Sequence, residues 1–100
     1  MLDIQKTRED SKLDIVLVGR LDTTTAPELE ASIKESIDGV TDLCMDFEQL
    51  EYISSAGLRV LLSTQKAMNA AGGTMQVAKP NEAITEIFQV TGFVDILTIV

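Results

Sequence analysis

Tyr52-Ile53-Ser54-Ser55-Ala56-Gly57-Leu58-Arg59-Val60-Leu61-Leu62 is the stretch whose reading decides the fold. It joins an apolar, strand-like segment, Leu43-Cys44-Met45-Asp46-Phe47, to a helical pattern, with small hydroxylated residues at the join. A serine at a helix start accepts hydrogen bonds from first-turn N–H groups that have no partner within the helix. The same place suits a phosphate, because those N–H groups and the positive end of the macrodipole both favour anions. A serine here can therefore carry a phosphoryl group without melting its own helix, which makes it a candidate switch.

Outward from this junction the chain alternates between two periods. Leu2 to Thr7 alternates apolar and polar residues as an exposed edge strand does. A turn signal at Glu9-Asp10-Ser11-Lys12 leads into Leu13 to Gly19, a more buried strand, so the first two strands are predicted to form a hairpin. Pro27, behind a threonine cap, opens the first helix; Leu29, Ile33 and Ile37 face the core, and Glu28, Glu30, Lys34 and Glu35 point outward. The third strand is predicted over about residues 41–47. The helix from Ser55 puts Leu58, Leu61, Leu62 and Met68 on one side and ends at Gly72 or Gly73. Residues 74–78 form a fourth strand with Met75 in the core. Asn81 caps a short helix with Ile84, Ile87 and Phe88 inward, ending at Gly92, and residues 96–100 supply a last strand.

Strands alternating with helices of this length predict an α/β fold: a mixed sheet of four to five strands with helices mainly on one face. Right-handed crossovers make the second, third and fourth strands parallel neighbours. Sites in such sheets form where strand carboxyl ends lead into helices. Ser55 lies in one such loop and residues 22–25 in another, so Ser55 and Asp22 are expected at the same end of the molecule.

Composition narrows the chemistry. One hundred residues with 45% hydrophobic content suit one domain with one core. Residues 1–11 are polar and lack the apolar centre of a signal peptide, and no run approaches the roughly 18 apolar residues of a membrane span. A single cysteine excludes an internal disulfide, so Cys44 reads as a small hydrophobe within a strand. A net charge of −8 argues against nucleic acid and anionic membranes as partners and suits a protein partner. The chain has no histidine, which removes Ser-His and Cys-His nucleophile pairs and leaves a zinc site without its usual ligands. Its glycines match neither a phosphate-cradling loop nor a dinucleotide fingerprint. An enzyme is not expected, and no cofactor is implied.

Each residue at the junction has a structural role to set beside a functional one. Ser54 and Ser55 are helix caps in the plain reading, a role worth about 1 kcal/mol. Gly57 serves close packing in the first helical turn, or lets a partner approach the acceptor. Asp22 stabilises its turn, or shapes the contact around the acceptor. Arg59 is an exposed helix residue, or pairs with a phosphate or an acidic partner group.

The junction also resembles the signature of the STAS domains, whose type members are bacterial anti-sigma-factor antagonists. That family carries an Asp-Ser-Ser/Thr-Gly-Leu run after a strand, and the matching run here is Ser54-Ser55-Ala56-Gly57-Leu58. The family's phosphoacceptor serine falls on Ser55 and its glycine on Gly57. The usual Asp before the acceptor is Ser54, and the residue after it is Ala56. Gly19-Arg20-Leu21-Asp22, followed by residues 23–26, resembles the family's Gly-x-Leu-Asp turn into the first helix, and Gly72-Gly73 and Thr91-Gly92-Phe93 fit later turns. The resemblance covers nearly the whole chain and implies one STAS-like domain over residues 1–100.

The resemblance implies a phosphorylation-switched anti-sigma-factor antagonist, bacterial and cytoplasmic. Unmodified, it binds an anti-sigma factor that is also a serine kinase, releasing a sigma factor for transcription. The kinase phosphorylates Ser55 with its own ATP and Mg²⁺, and a PPM-type serine phosphatase resets the switch. Asp22, Thr23, Thr24, Ser54, Ala56, Gly57, Leu58 and Arg59 are the implied partner-binding residues. The chain is expected to be a monomer or a weak dimer paired through its first-strand edge. An alternative is a STAS interaction subunit of a transporter or sensory complex, without phosphorylation, in which Ser55 serves only as a cap.

Overall fold

Period-two hydrophobicity in the second strand sets the architecture. In the computed structural model, which describes Met1–Val100, β1 (Leu2–Glu9) and β2 (Lys12–Leu21) pair antiparallel with Glu9 opposite Lys12, as the hairpin reading expected. Asp10 holds φ 55° in the connecting turn, a left-handed conformation that Asp tolerates better than most residues. The remaining elements are α1 (Ala26–Ser36), β3 (Asp42–Ile53), α2 (Ser55–Ala70), β4 (Thr74–Ala78), α3 (Glu82–Thr91), a 3-10 turn over Phe93–Asp95, and β5 (Thr98–Ile99). The strands lie in chain order, β1-β2-β3-β4-β5, and all neighbours after the hairpin are parallel. Successive right-handed crossovers between adjacent parallel strands bring every helix to the same face.

That face is the core. Leu13, Ile15 and Leu17 of β2, Leu43, Met45 and Phe47 of β3, and Met75 and Val77 of β4 are buried there against Leu29 and Ile33 of α1, Leu58, Leu61 and Met68 of α2, and Ile84 and Phe88 of α3. Ile37 and Leu62 are only half-buried, the one at the end of its helix and the other at the margin of its packed stripe. The Phe47 and Phe88 rings meet at 6.3 Å between centroids, tying α3 to the middle of the sheet. The opposite face carries Asp14, Val16, Cys44, Asp46 and Gln76, all half-buried. Burial, and then the carboxylates of Asp14 and Asp46, push the Cys44 thiol pKa up, consistent with a packing residue rather than a reactive thiol.

Two boundaries differ from the sequence expectation. β3 runs to Ile53 rather than Phe47. Its register with β2 shifts between Val16 and Val18 and again between Gly19 and Arg20, and beyond Phe47 the buried positions are Leu50 and Ile53. Bulges insert residues and break the period of two that identifies a strand. At the other end β5 is only Thr98–Ile99, because the 3-10 turn takes up the residues before it. Gly72 holds φ 75° just past the end of α2, and the N–H of Gly73 donates to the Met68 carbonyl at 2.8 Å. This closes the helix as its glycine pair predicted.

Candidate functional site

The carboxyl ends of β2, β3 and β4 converge on one edge. Leu21 leads into the turn at residues 22–25, Ile53 leads into α2, and β4 leads through Pro80 to α3. The Ser54 N–H donates to the Leu21 carbonyl at 2.9 Å, fastening the first two loops together. The Asn81 side-chain amide donates to the Leu50 carbonyl at 3.1 Å, while its Oδ1 accepts from the Ile84 N–H at 2.8 Å and caps α3. Ser55 and Asp22 thus share one end, as strand–helix alternation required.

The two serines divide the work at the mouth of α2. Ser54 is the N-cap, with extended backbone, and its Oγ accepts from the Gly57 N–H at a long 3.4 Å. Ser55 is the first helical residue, exposed, with no hydrogen bond from its hydroxyl to any protein group. Ser55 is therefore not the cap that the plain reading allowed. With Ser54 at the cap, the family's usual Asp is replaced by a residue equally suited to that position.

The Asp22 turn is a dense network. Asp22 Oδ1 accepts from the Thr24 hydroxyl at 2.8 Å, the Thr24 N–H at 3.0 Å and the Thr25 N–H at 3.1 Å. Thr25, buried, occupies the N-cap position of α1 but does not cap with its side chain: its hydroxyl accepts from the Asp22 N–H at 2.8 Å and donates to the Arg20 carbonyl at 2.9 Å. The hydrogen bond from the Thr24 hydroxyl is the strongest influence holding the Asp22 carboxyl below its ordinary value of 3.8; desolvation opposes it, and the Thr25 and Thr24 N–H groups lower it further. A depressed pKa contributes stability above the unfolded value that is lost as pH falls through the folded one. Asp22→Asn is therefore expected to melt below the parent at neutral pH, with the gap closing below about pH 4. Melting curves of both proteins against pH test this, and a gap that persists unchanged into acid would show that the carboxylate charge plays no part.

Between the Asp22 turn, α1 and α2 lies an open groove of about 280 Å³, whose lining includes Thr23, Pro27, Glu30, Ala56 and Arg59. A hydroxyl at the mouth of a helix, a hydrogen-bonded acidic turn and a groove lined by one arginine thus lie together at this end.

A STAS domain model matches residues 3–100. The chain belongs to the STAS domain family. It is 30% identical over 97 residues to the anti-sigma-B factor antagonist of Staphylococcus aureus strain NCTC 8325, covering 96% of this chain and 90% of that protein. An anti-sigma factor antagonist from Mycobacterium paratuberculosis superposes with a TM-score of 0.88 at 23% identity, over 99% of this chain and 85% of that one. The Bacillus cell fate determinant SpoIIAA in its phosphorylated form superposes with a TM-score of 0.76 at 22% identity, over 100% and 91%. At such identities the two structures speak for the fold alone.

Within this STAS domain the expected site residues split into two groups. Thr23, Thr24, Ser55 and Arg59 are exposed, and Asp22, Ser54 and Ala56 are half-buried at the same edge. Gly57 and Leu58, partner-binding by the resemblance alone, are turned inward, Leu58 on the side that helical spacing gave it. A Cβ on Gly57 would stand 2.7 Å from Leu21 Cγ and 2.8 Å from Ile53 Cγ1, and Leu58 is 8% exposed. Of the two readings of Gly57, the structure selects close packing. Sequence reasoning missed three features of the edge. Thr25 organises the turn, a role that an Asp followed by a threonine run signals through its tendency to form side-chain-closed turns. Pro27 and Glu30 line the groove. Arg20 lies over the Tyr52 ring at 4.4 Å from its centroid, an exposed pair that the register shifts of β3 bring opposite one another.

Proposed function

We propose that this STAS domain is a phosphorylation-switched antagonist of an anti-sigma factor, with Ser55 as the phosphoacceptor. The carrying observation is the exposed, unbonded Ser55 hydroxyl at the start of α2, with the cap already supplied by Ser54. The name of the Staphylococcus relative supports the antagonist role over that of a transporter or sensory subunit. Unmodified, the edge built from Asp22, Thr23, Thr24, Ser54, Ala56 and Arg59 docks on an anti-sigma factor that is also a serine kinase. That docking frees a sigma factor in the cytoplasm, and the domain acts as a monomer or a weak dimer.

The kinase's ATP supplies the phosphoryl group. The Ser55 hydroxyl gives up its proton, an Oγ–P bond forms, and the bond to the departing ADP breaks. The product adds about −1.5 to −2 charges to the docking edge of a chain already at −8. Repulsion and bulk then weaken the complex while the scaffold stays folded, and a PPM-type phosphatase restores the hydroxyl.

Pull-down with the unmodified domain followed by intact-mass analysis with MgATP tests the reading. The captured protein is expected to be an anti-sigma factor kinase that adds one phosphoryl group to the parent and none to Ser55→Ala, which still folds and binds. Phosphate incorporation that survives the substitution would remove Ser55 from the mechanism.

A further inference from the structure

Ser55 and Arg59 stand four residues apart on α2, so their side chains lie on one face of the helix, a turn from each other. Both are exposed. The Arg59 guanidinium makes no ion pair, although the chain has 16 acidic residues for 8 basic ones. Glu30, which lines the same groove, is paired with Lys34 at 3.2 Å instead. The unmodified protein thus keeps a free cation one turn along from the hydroxyl assigned as phosphoacceptor.

Building on the phosphorylation reading, we propose that Arg59 is the internal receptor of the phosphoryl group on Ser55. An acid four residues before a base is the favourable order for a helical pair, because each charge also faces the end of the macrodipole that suits it. A planar guanidinium matches two phosphate oxygens through parallel N–H donors, giving a geometry that a lone first-turn amide does not. Charged groups at this end also include Asp22 before α1, Glu30 on α1, Glu51 in β3, Glu82 at the head of α3 and Arg20 of β2. Arg20 is engaged with the Tyr52 ring on the sheet, and Arg59 is the cation on the same helix as Ser55. Phosphorylation therefore does more than add negative charge. It withdraws Arg59 from the groove, removing from the docking edge the cation that the unmodified form offers an acidic group of the partner.

Phosphoserine installed at position 55 by genetically encoded incorporation makes the test independent of any kinase. The second phosphate pKa, read by phosphorus NMR titration, is compared in the Arg59, Arg59→Gln and Arg59→Lys chains. The arginine chain is expected to titrate about 0.3 unit below the glutamine chain, as an exposed helical pair of this spacing implies. Lysine is expected to recover part of the difference, and the Arg59 Nε–H resonance to shift as the phosphate ionises. Identical pKa values in the arginine and glutamine chains, or an Nε–H signal indifferent to the titration, would overturn the assignment. A kinase that leaves Ser55 unmodified is a separate result, which sinks the phosphorylation reading without touching the measured pairing.

Discussion

Gly57→Val is expected to lower stability by about 3 kcal/mol, at the upper end of what overpacking a filled site costs. The glycine faces Leu21 and Ile53, which are 0% and 2% exposed, and a Cβ would come within 3 Å of both. Those two residues are the last of β2 and β3, so neither side chain moves without disturbing the strand ends that carry the Asp22 turn and the start of α2. Alanine is the milder probe. It recovers about 1 kcal/mol of helix propensity yet meets the same first contact, so a smaller net loss is expected. Thermal melting reads both variants, at roughly 4–8 °C per kcal/mol for a domain of this size. A valine variant that melts with the parent would return Gly57 to the other reading, a surface kept bare for a partner.

Phe88→Ala is expected to cost about 3–5 kcal/mol, the range for deleting a buried aromatic. Phe88 is fully buried, and with Ile84 it is one of the two fully buried side chains of α3. Its loss leaves a cavity beside Phe47. Because Asn81 at the head of α3 also bonds the Leu50 carbonyl, the loosening reaches the same edge as Ser55. Urea unfolding should show a lower midpoint. A loss under about 1 kcal/mol would mean that the neighbouring side chains collapse into the space, against the dense packing of the Phe47 face.

Much of this was open to a sequence reading where local periodicity and cap chemistry act alone. The hairpin, α2 starting at Ser55, the Gly72 stop and the Asn81 cap all follow from side chains acting on their own backbone within a few residues. The extent of β3 did not, because bulges near Val18 and Gly19 of the neighbouring strand shift the pairing, and a register between strands is a long-range property. The division between Ser54 and Ser55 also stayed hidden. Two adjacent serines satisfy the same capping rule, and only the path of the chain out of β3 decides which one has the extended backbone. Gly57 and Leu58 were named as partner-binding only through the family motif, while helical spacing already put Leu58 on the core side and left Gly57 open. In the structure both are buried, as are Val60 and Leu61.

From its residues alone, this chain was bound to be an α/β module without histidine-based nucleophile pairs or the usual zinc ligands, with a hydroxyl at the head of its second helix. No histidine, one cysteine, alternating periods and a serine before an apolar helix are facts of composition and order. Tertiary structure alone decided that a groove lined by Thr23 and Arg59 lies beside the joined Asp22 turn and start of α2, and that Gly57 packs against Leu21 and Ile53. Those outcomes depend on how strands from distant parts of the chain align, and that alignment is set by the packing of the whole core.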